Sequence, residues 1–354
     1  MHKKTMHKKI MDRGGGRHLR LYSKSQRDYT LFDGLPPVDS SSAHMRWHPL
    51  RQEWIGYSSA RQGRTFLPNR ADCPLCPMAK DGPLTDVPVD DYEIAIFTNR
   101  FSALSAEPSP PPSLSIDAIK GKGYCDVVSY SSDHNASFAS IGRDRIELLI
   151  EAIGDRCREI YEDPEILWAL PFENRGREIG VTLDHPHGQI YALSHLPQAV
   201  KIQADAFMAS NPLKDLKADI PRHLVITENE TGIAFCPEWA RYPFEVWVAP
   251  YQRYADPTQM SAADRVGFAD LMATAAQKLD AVFDAPMAYV MSWQIAPKTY
   301  EDHHHFHCVF QPLKRSRQKQ KYLASVEQFT GFFLVDLPPE RSADILNGKA
   351  EADE

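Results

Sequence analysis

Two imidazoles two residues apart sit in the densest polar run of the chain, Leu183-Asp184-His185-Pro186-His187-Gly188-Gln189-Ile190-Tyr191. On an extended segment, residues two apart share a face. Pro186 fixes its own φ, and Gly188 lets another group approach the backbone closely. The segment therefore offers two imidazoles on one side of a stiff turn that feeds an apolar strand. An imidazole near neutral pH can attack phosphorus, transfer a proton or bind a metal. A carboxylate beside the attacking ring would repel an anionic phosphate, so Asp184 is expected to point away across the alternating strand.

Cys73-Pro74-Leu75-Cys76 is a Cys-x2-Cys knuckle, which supplies half of a tetrahedral zinc site. A redox pair is the competing reading, weakened because no βαβ pattern surrounds it. His134, in Ser132-Asp133-His134-Asn135, and His185 are the candidates for the other two ligands. A Cys2His2 shell would be closed and hence structural. Arg61-Gln62-Gly63-Arg64 can fork two guanidiniums onto phosphate oxygens. Phe97-Thr98-Asn99-Arg100-Phe101 and Phe172-Glu173-Asn174-Arg175-Gly176 each end an apolar strand with an Asn, either a ligand contact or a turn former. In Glu301-Asp302-His303-His304-His305-Phe306-His307 the histidines read either as metal ligands or as a fortuitous loop patch.

The elements that must hold these groups repeat. Apolar spacing predicts strands over 92–98 and 125–131, a helix over 141–162, and strands over 167–173 and 188–194. A second set follows, with strands over 232–236 and 244–250, a helix over 262–283, and strands over 288–293 and 305–311. His305 and His307 lie 120 residues beyond His185 and His187, and Gln294 lies 120 beyond Asn174. Ser261-Ala262-Ala263-Asp264 is a capping start for the second helix. A strand is also expected over 53–57. The proline-rich stretch 107–113 reads as a surface loop, and 209–222 separates the halves. The fold class is α+β, with two tandem, pseudo-duplicated modules, antiparallel sheets and packed helices. The expected organisation is a flexible arm over 1–43, a catalytic module over 44–208 and a second module over 209–354.

Composition bounds the rest. The 354 residues carry 40 Lys plus Arg against 47 Asp plus Glu, a net charge of −7. No basic face for a nucleic-acid backbone is implied. No apolar run reaches the roughly 18 residues that span a bilayer. The basic start, with MHKK at 1–4 and again at 6–9, lacks a signal peptide's apolar core. The expectation is a cytoplasmic protein whose six cysteines are thiols or metal ligands.

Taken together, the motifs resemble the galactose-1-phosphate uridylyltransferases, double-module members of the histidine-triad superfamily, over about residues 44–345. His-Pro-His-Gly-Gln carries the resemblance, with Gln189 where simple histidine-triad hydrolases have a third His. The resemblance implies a uridylyltransferase in which His187 attacks the α-phosphorus of UDP-glucose. Gln189 would donate to a phosphoryl oxygen, and the uridylyl-histidine would pass UMP to galactose 1-phosphate. It implies that Cys73, Cys76, His134 and His185 hold one structural zinc. It matches Arg61, Arg64, Asn99, Asn174, Val181 and Thr182 to the nucleotide and phosphates. Lys321, Tyr322 and Glu327 match a sugar-phosphate segment that in the family reaches the partner subunit, which implies a homodimer.

Some positions depart from the family. Members have a second, iron-type site, but Gln203 and Gln294 stand at ligand positions here, and Val309 follows His307 at the place of another. That second metal is expected to be absent or differently built. Pro74, Val326 and Phe333 replace residues near the base and sugar. An ADP-glucose phosphorylase acting with phosphate, or a noncatalytic zinc-dependent nucleotide-binding protein, are the alternative readings.

Overall fold

In the computed structural model, which describes residues 6–36, 43–59, 67–283 and 285–352, Ile146, Leu149, Ile150, Ile153, Cys157 and Ile160 form the buried stripe of a helix, α1 (Arg143–Tyr161). The N-terminal half holds β1 (His7–Asp12), β2 (His18–Ser23), β3 (His44–His48), β4 (Glu53–Tyr57), β5 (Ile94–Thr98), β6 (Ala118–Lys120) and β7 (Gly123–Ser129) before α1, then β8 (Trp168–Arg175) and β9 (His187–Leu193). The C-terminal half holds α2 (Gln198–Ser210), α3 (Leu216–Asp219), β10 (Val225–Glu228), β11 (Gly232–Phe235), β12 (Val246–Pro250), α4 (Ala262–Ala281), β13 (Tyr289–Gln294), β14 (His307–Pro312), α5 (Ser325–Thr330) and α6 (Pro339–Leu346). Ser261 caps α4 as its sequence suggests, its Oγ accepting from the Asp264 amide at 3.1 Å. No helix among the described residues is long and apolar enough to cross a membrane.

The antiparallel sheets expected of the two modules run together as one eleven-stranded sheet, ordered β1-β2-β5-β7-β9-β8-β13-β14-β12-β11-β10. The halves join where β8 pairs antiparallel with β13. Outward from that seam the order β8-β9-β7 is repeated as β13-β14-β12. The duplication read from the histidine doublets is thus a repeat of topology. Both long helices lie on one face, and a single apolar core runs beneath them. Ile96, Val128 and Ile190 meet α1 in that core, while Val248, Met291 and Phe310 meet Phe268 and Leu271 of α4. β3, β4 and β6 make a separate three-stranded sheet.

The N-terminal segment differs from the flexible arm expected over 1–43. β1 and β2 form a hairpin on the edge of the large sheet, with β2 paired to β5. Gly14, Gly15 and Gly16, with φ of 76°, 60° and 74°, make its turn. These glycines supply a backbone that side-chain-bearing residues avoid. Lys8 and Arg20 then ion-pair with Glu159 on α1. The 107–113 stretch carries no helix or strand, as expected. α2 went unread because only Ala204 and Phe207 are buried along it, too few to mark a period.

Candidate active site

β9 alternates strictly: Gly188, Ile190 and Ala192 are buried toward the helices, so His187 and Gln189 project from the opposite face. Gly188 is required by crowding. A Cβ there would lie 2.2 Å from the Tyr130 hydroxyl and 2.6 Å from the Phe172 carbonyl oxygen. Across the sheet, Phe97, Val127, Gln189 and Phe172 stand in register on β5, β7, β9 and β8. A loop carrying the cysteines covers β2, β5 and β7, with Leu75, Val87, Val89 and Tyr92 packed on Leu19, Phe97 and Val127. Between this loop and β9 lies a solvent-open cavity whose walls include His187, Gln189, Thr182, Asn99, Arg100 and Asp86.

Nδ1–H of His187 donates to the carbonyl of His185 at 2.7 Å. That bond selects the tautomer whose Nε2 carries the lone pair. Burial lowers the His187 pKa, partly offset by the His185 carbonyl, so the ring is neutral at neutral pH. Asp184 points away as expected, exposed and ion-paired with Arg177 at 2.8 Å. Asn99 accepts from the Phe101 amide through Oδ1 at 2.9 Å, which turns the chain after β5 and leaves its NH2 group for a ligand.

The four residues expected to hold a metal come together. The donor atoms of Cys73, Cys76, His134 and His185 all lie within 4.8 Å of one another, the one such group of three or more among the described residues. Nδ1 of His134 and Nδ1 of His185 approach Cys76 Sγ at 3.4 and 3.5 Å. Nε2–H of His185 donates to the Ser131 carbonyl at 2.7 Å, which leaves Nδ1 for a cation. Burial and the neighbouring Cys73 push the Cys76 thiol up to about 12. A divalent cation would reverse that by favouring both thiolates, so the donor set fits one. Tyr92, which carries no motif, ties this cluster to the sheet: its hydroxyl donates to the Leu75 carbonyl at 2.6 Å and lies 2.7 Å from Ser129 Oγ.

Other expected contacts fall differently. Arg61 and Arg64 lie outside the described residues. Val181 adjoins Thr182 but does not line the cavity, and neither does Asn174, which shares the face of Phe172 on β8. Lys321 and Glu327 are buried and bonded to each other at 2.6 Å, with Lys321 also donating to the Leu334 carbonyl at 2.6 Å. Within one chain they fold the 321–334 segment and do not reach the cavity. Tyr322 is 71% exposed.

The matching place in the second module is filled. His307 donates to the His305 carbonyl at 2.8 Å, as His187 does to His185. Yet its ring is fully buried, stacked on Trp247 at 4.7 Å and tilted against Phe207. His304 and His305 direct Nε2 to the carbonyls of Gln294 and Pro250. The Gln294 amide bonds to Ser292. Among the described residues these side chains do not come together as a group of metal ligands, and Nδ1 of His304, Nδ1 of His305 and Nε2 of His307 are buried without a hydrogen-bond partner.

The sequence model of the galactose-1-phosphate uridyl transferase N-terminal domain matches residues 15–197, and that of the C-terminal domain matches 198–347. The galactose-1-phosphate uridylyltransferase of Thermotoga maritima is 32% identical over 311 residues, covering 84% of this chain and 96% of the relative. That of Streptomyces lividans is 30% identical over 361 residues, covering 96% and 97%. Among solved structures, a uridylyltransferase superposes with a TM-score of 0.75 at 24% identity, covering 86% of this chain and 98% of that one. An ADP-glucose phosphorylase from Arabidopsis thaliana has the same fold, with a TM-score of 0.64 at 22% identity, covering 86% and 99%. The chain belongs to the galactose-1-phosphate uridyl transferase family.

Proposed function

We propose that the protein exchanges UMP between UDP-glucose and galactose 1-phosphate through a covalent uridylyl-His187. One observation carries this reading: the His185 carbonyl holds Nδ1–H of His187, leaving a neutral Nε2 beside Gln189 in a cavity. Nε2 attacks the α-phosphorus, the bond to the bridging oxygen breaks, and glucose 1-phosphate leaves with that bond's electron pair. The ring becomes a cationic N-phosphoryl imidazole, and its Nδ1–H stays on the His185 carbonyl, which steadies the charge. Gln189, on the same face of β9, donates to a phosphoryl oxygen in this scheme. A phosphate oxygen of galactose 1-phosphate then attacks the same phosphorus and His187 is released neutral.

A zinc ion on Cys73, Cys76, His134 and His185 would serve as a structural clamp on the turn that aims His187. We read one such metal per chain. The exposed apolar side chains of the 321–334 segment, Tyr322, Phe329, Phe332 and Leu334, support a homodimer in which this segment docks on a second copy. The test is mass spectrometry of the protein after incubation with UDP-glucose or ADP-glucose. A UMP adduct on His187, absent from His187→Gly, is expected. An AMP adduct alone would favour the phosphorylase chemistry, and no adduct from either sugar nucleotide would overturn the covalent reading.

A further inference from the structure

Asp86 is a buried carboxylate in the cavity wall that no motif announced. It is 7% exposed, and its Oδ1 has no hydrogen-bond partner among the described residues. Arg17, from the turn of the N-terminal hairpin, lies 3.6 Å from Oδ1, and Arg100 Nε lies 3.4 Å from Oδ2. These are ion-pair distances without hydrogen bonds. The loop position is set by the Asp86 amide, which donates to the Pro74 carbonyl inside the cysteine knuckle at 2.8 Å. The same cavity holds His187 and Gln189, together with the rings of Phe97 and Phe101.

We infer that Asp86 is a specificity residue that accepts a hydrogen bond from the nucleoside part of the sugar nucleotide. The inference rests on the reading of this cavity as a nucleotide site. A carboxylate only accepts, and an acceptor oxygen buried without a hydrogen bond is costly even beside two cations, so the site favours a ligand that brings a donor. The phosphates cannot bring it, because ionised phosphate oxygens only accept hydrogen bonds. They belong at the His187 and Gln189 end, where a neutral imidazole and an amide donor stand. Phe97 on β5 is two strands from Gln189 on β9, about 10 Å at the usual strand spacing. That span suits a nucleoside laid from its 5′-phosphate toward the Phe97, Phe101 and Asp86 end. The available donors there are a ribose hydroxyl and the base N–H, and Asp86 selects a molecule that has one.

The test compares UDP-glucose with its 2′-deoxy, 3′-deoxy and N3-methyluracil analogues in forming uridylyl-His187 on the full chain. Wild type is expected to lose about tenfold or more in kcat/KM with one analogue, and which one names the donor. In Asp86→Ala that same change of substrate should cost less than about threefold, while KM for galactose 1-phosphate in the second half-reaction stays within about twofold. A merely structural Asp86 would slow all four substrates equally, leaving the analogue loss intact, and that result overturns the inference. So does equal reaction of all four with wild type, which needs no variant. Asp86→Leu, which has no acceptor, checked for melting temperature and metal content, replaces the alanine variant if that fails to fold. Wild type that forms no adduct with UDP-glucose itself overturns the functional reading instead, so the two failures are distinct.

Discussion

The carbonyl oxygen of His185 accepts a hydrogen bond from Nδ1 of His187 at 2.7 Å, while the His185 side chain stands in the Cys73, Cys76 and His134 donor group. One residue therefore links the cluster to the reactive ring. Because burial lowers the His187 pKa, the neutral form persists below the ordinary imidazole value of about 6.5. The rate of uridylyl-His187 formation should hold level from pH 8 down through 6.5. It should fall only as pH drops through the lowered value. A pH profile that already declines at 7 would contradict this.

The second module's imidazoles bear on stability. Burial, with the neighbouring His304, lowers His307 to about 3, and burial lowers His304 to about 4. Both folded values lie below the unfolded one, so the unfolded chain binds more protons in acid. Their contribution is whole above about pH 6.5 and is lost as pH falls toward 4. Denaturant midpoints measured between pH 7 and 4.5 should decline, and His307→Phe, which keeps the stack on Trp247, should flatten that decline.

Gly188→Ala should fail at the sheet rather than at the chemistry. Its methyl group would meet the Tyr130 hydroxyl and the Phe172 carbonyl, costing about 1–3 kcal/mol. Thermal unfolding should show the loss. Adding Tyr130→Phe should restore only part of it, because the backbone clash with Phe172 remains.

Cys73→Ser, or treatment with a strong chelator, should remove the bound metal and lower the melting temperature by the equivalent of several kcal/mol. The rate of adduct formation by the remaining folded protein should fall by no more than about tenfold, since the cluster orients His187 without touching phosphorus. Metal analysis should find one zinc per chain. Two tightly held metals would overturn the single-site reading.

Phe329 and Phe332 are 80% and 64% exposed beside Tyr322. Light scattering of the wild-type protein should give the mass of a dimer, and Phe329→Glu with Phe332→Glu should give that of a monomer. A monomeric wild type would remove the dimer reading.

The residues of the site were legible because their chemistry is local. The His-Pro-His-Gly-Gln run states its own geometry: a fixed φ, a missing Cβ and a period of two that sends His187 and Gln189 to one face. The Cys-x2-Cys knuckle likewise announces half a metal site, and helical spacing announced α1 and α4. Other features depend on partners far away in the chain. The segment over 1–43 reads as a flexible arm until β2 finds β5. That Lys321 and Glu327 bond to each other within the chain is likewise not written in their local sequence. Asp86 has no local signal, since its burial comes from a loop folded over strands that lie before and after it. The fusion of both modules into one sheet was decided by the pairing of β8 with β13, more than a hundred residues apart, which no period in either strand encodes. Short-range rules act through bonds and neighbouring side chains, so sequence carries them; long-range pairing and burial arise only once the chain has collapsed on itself.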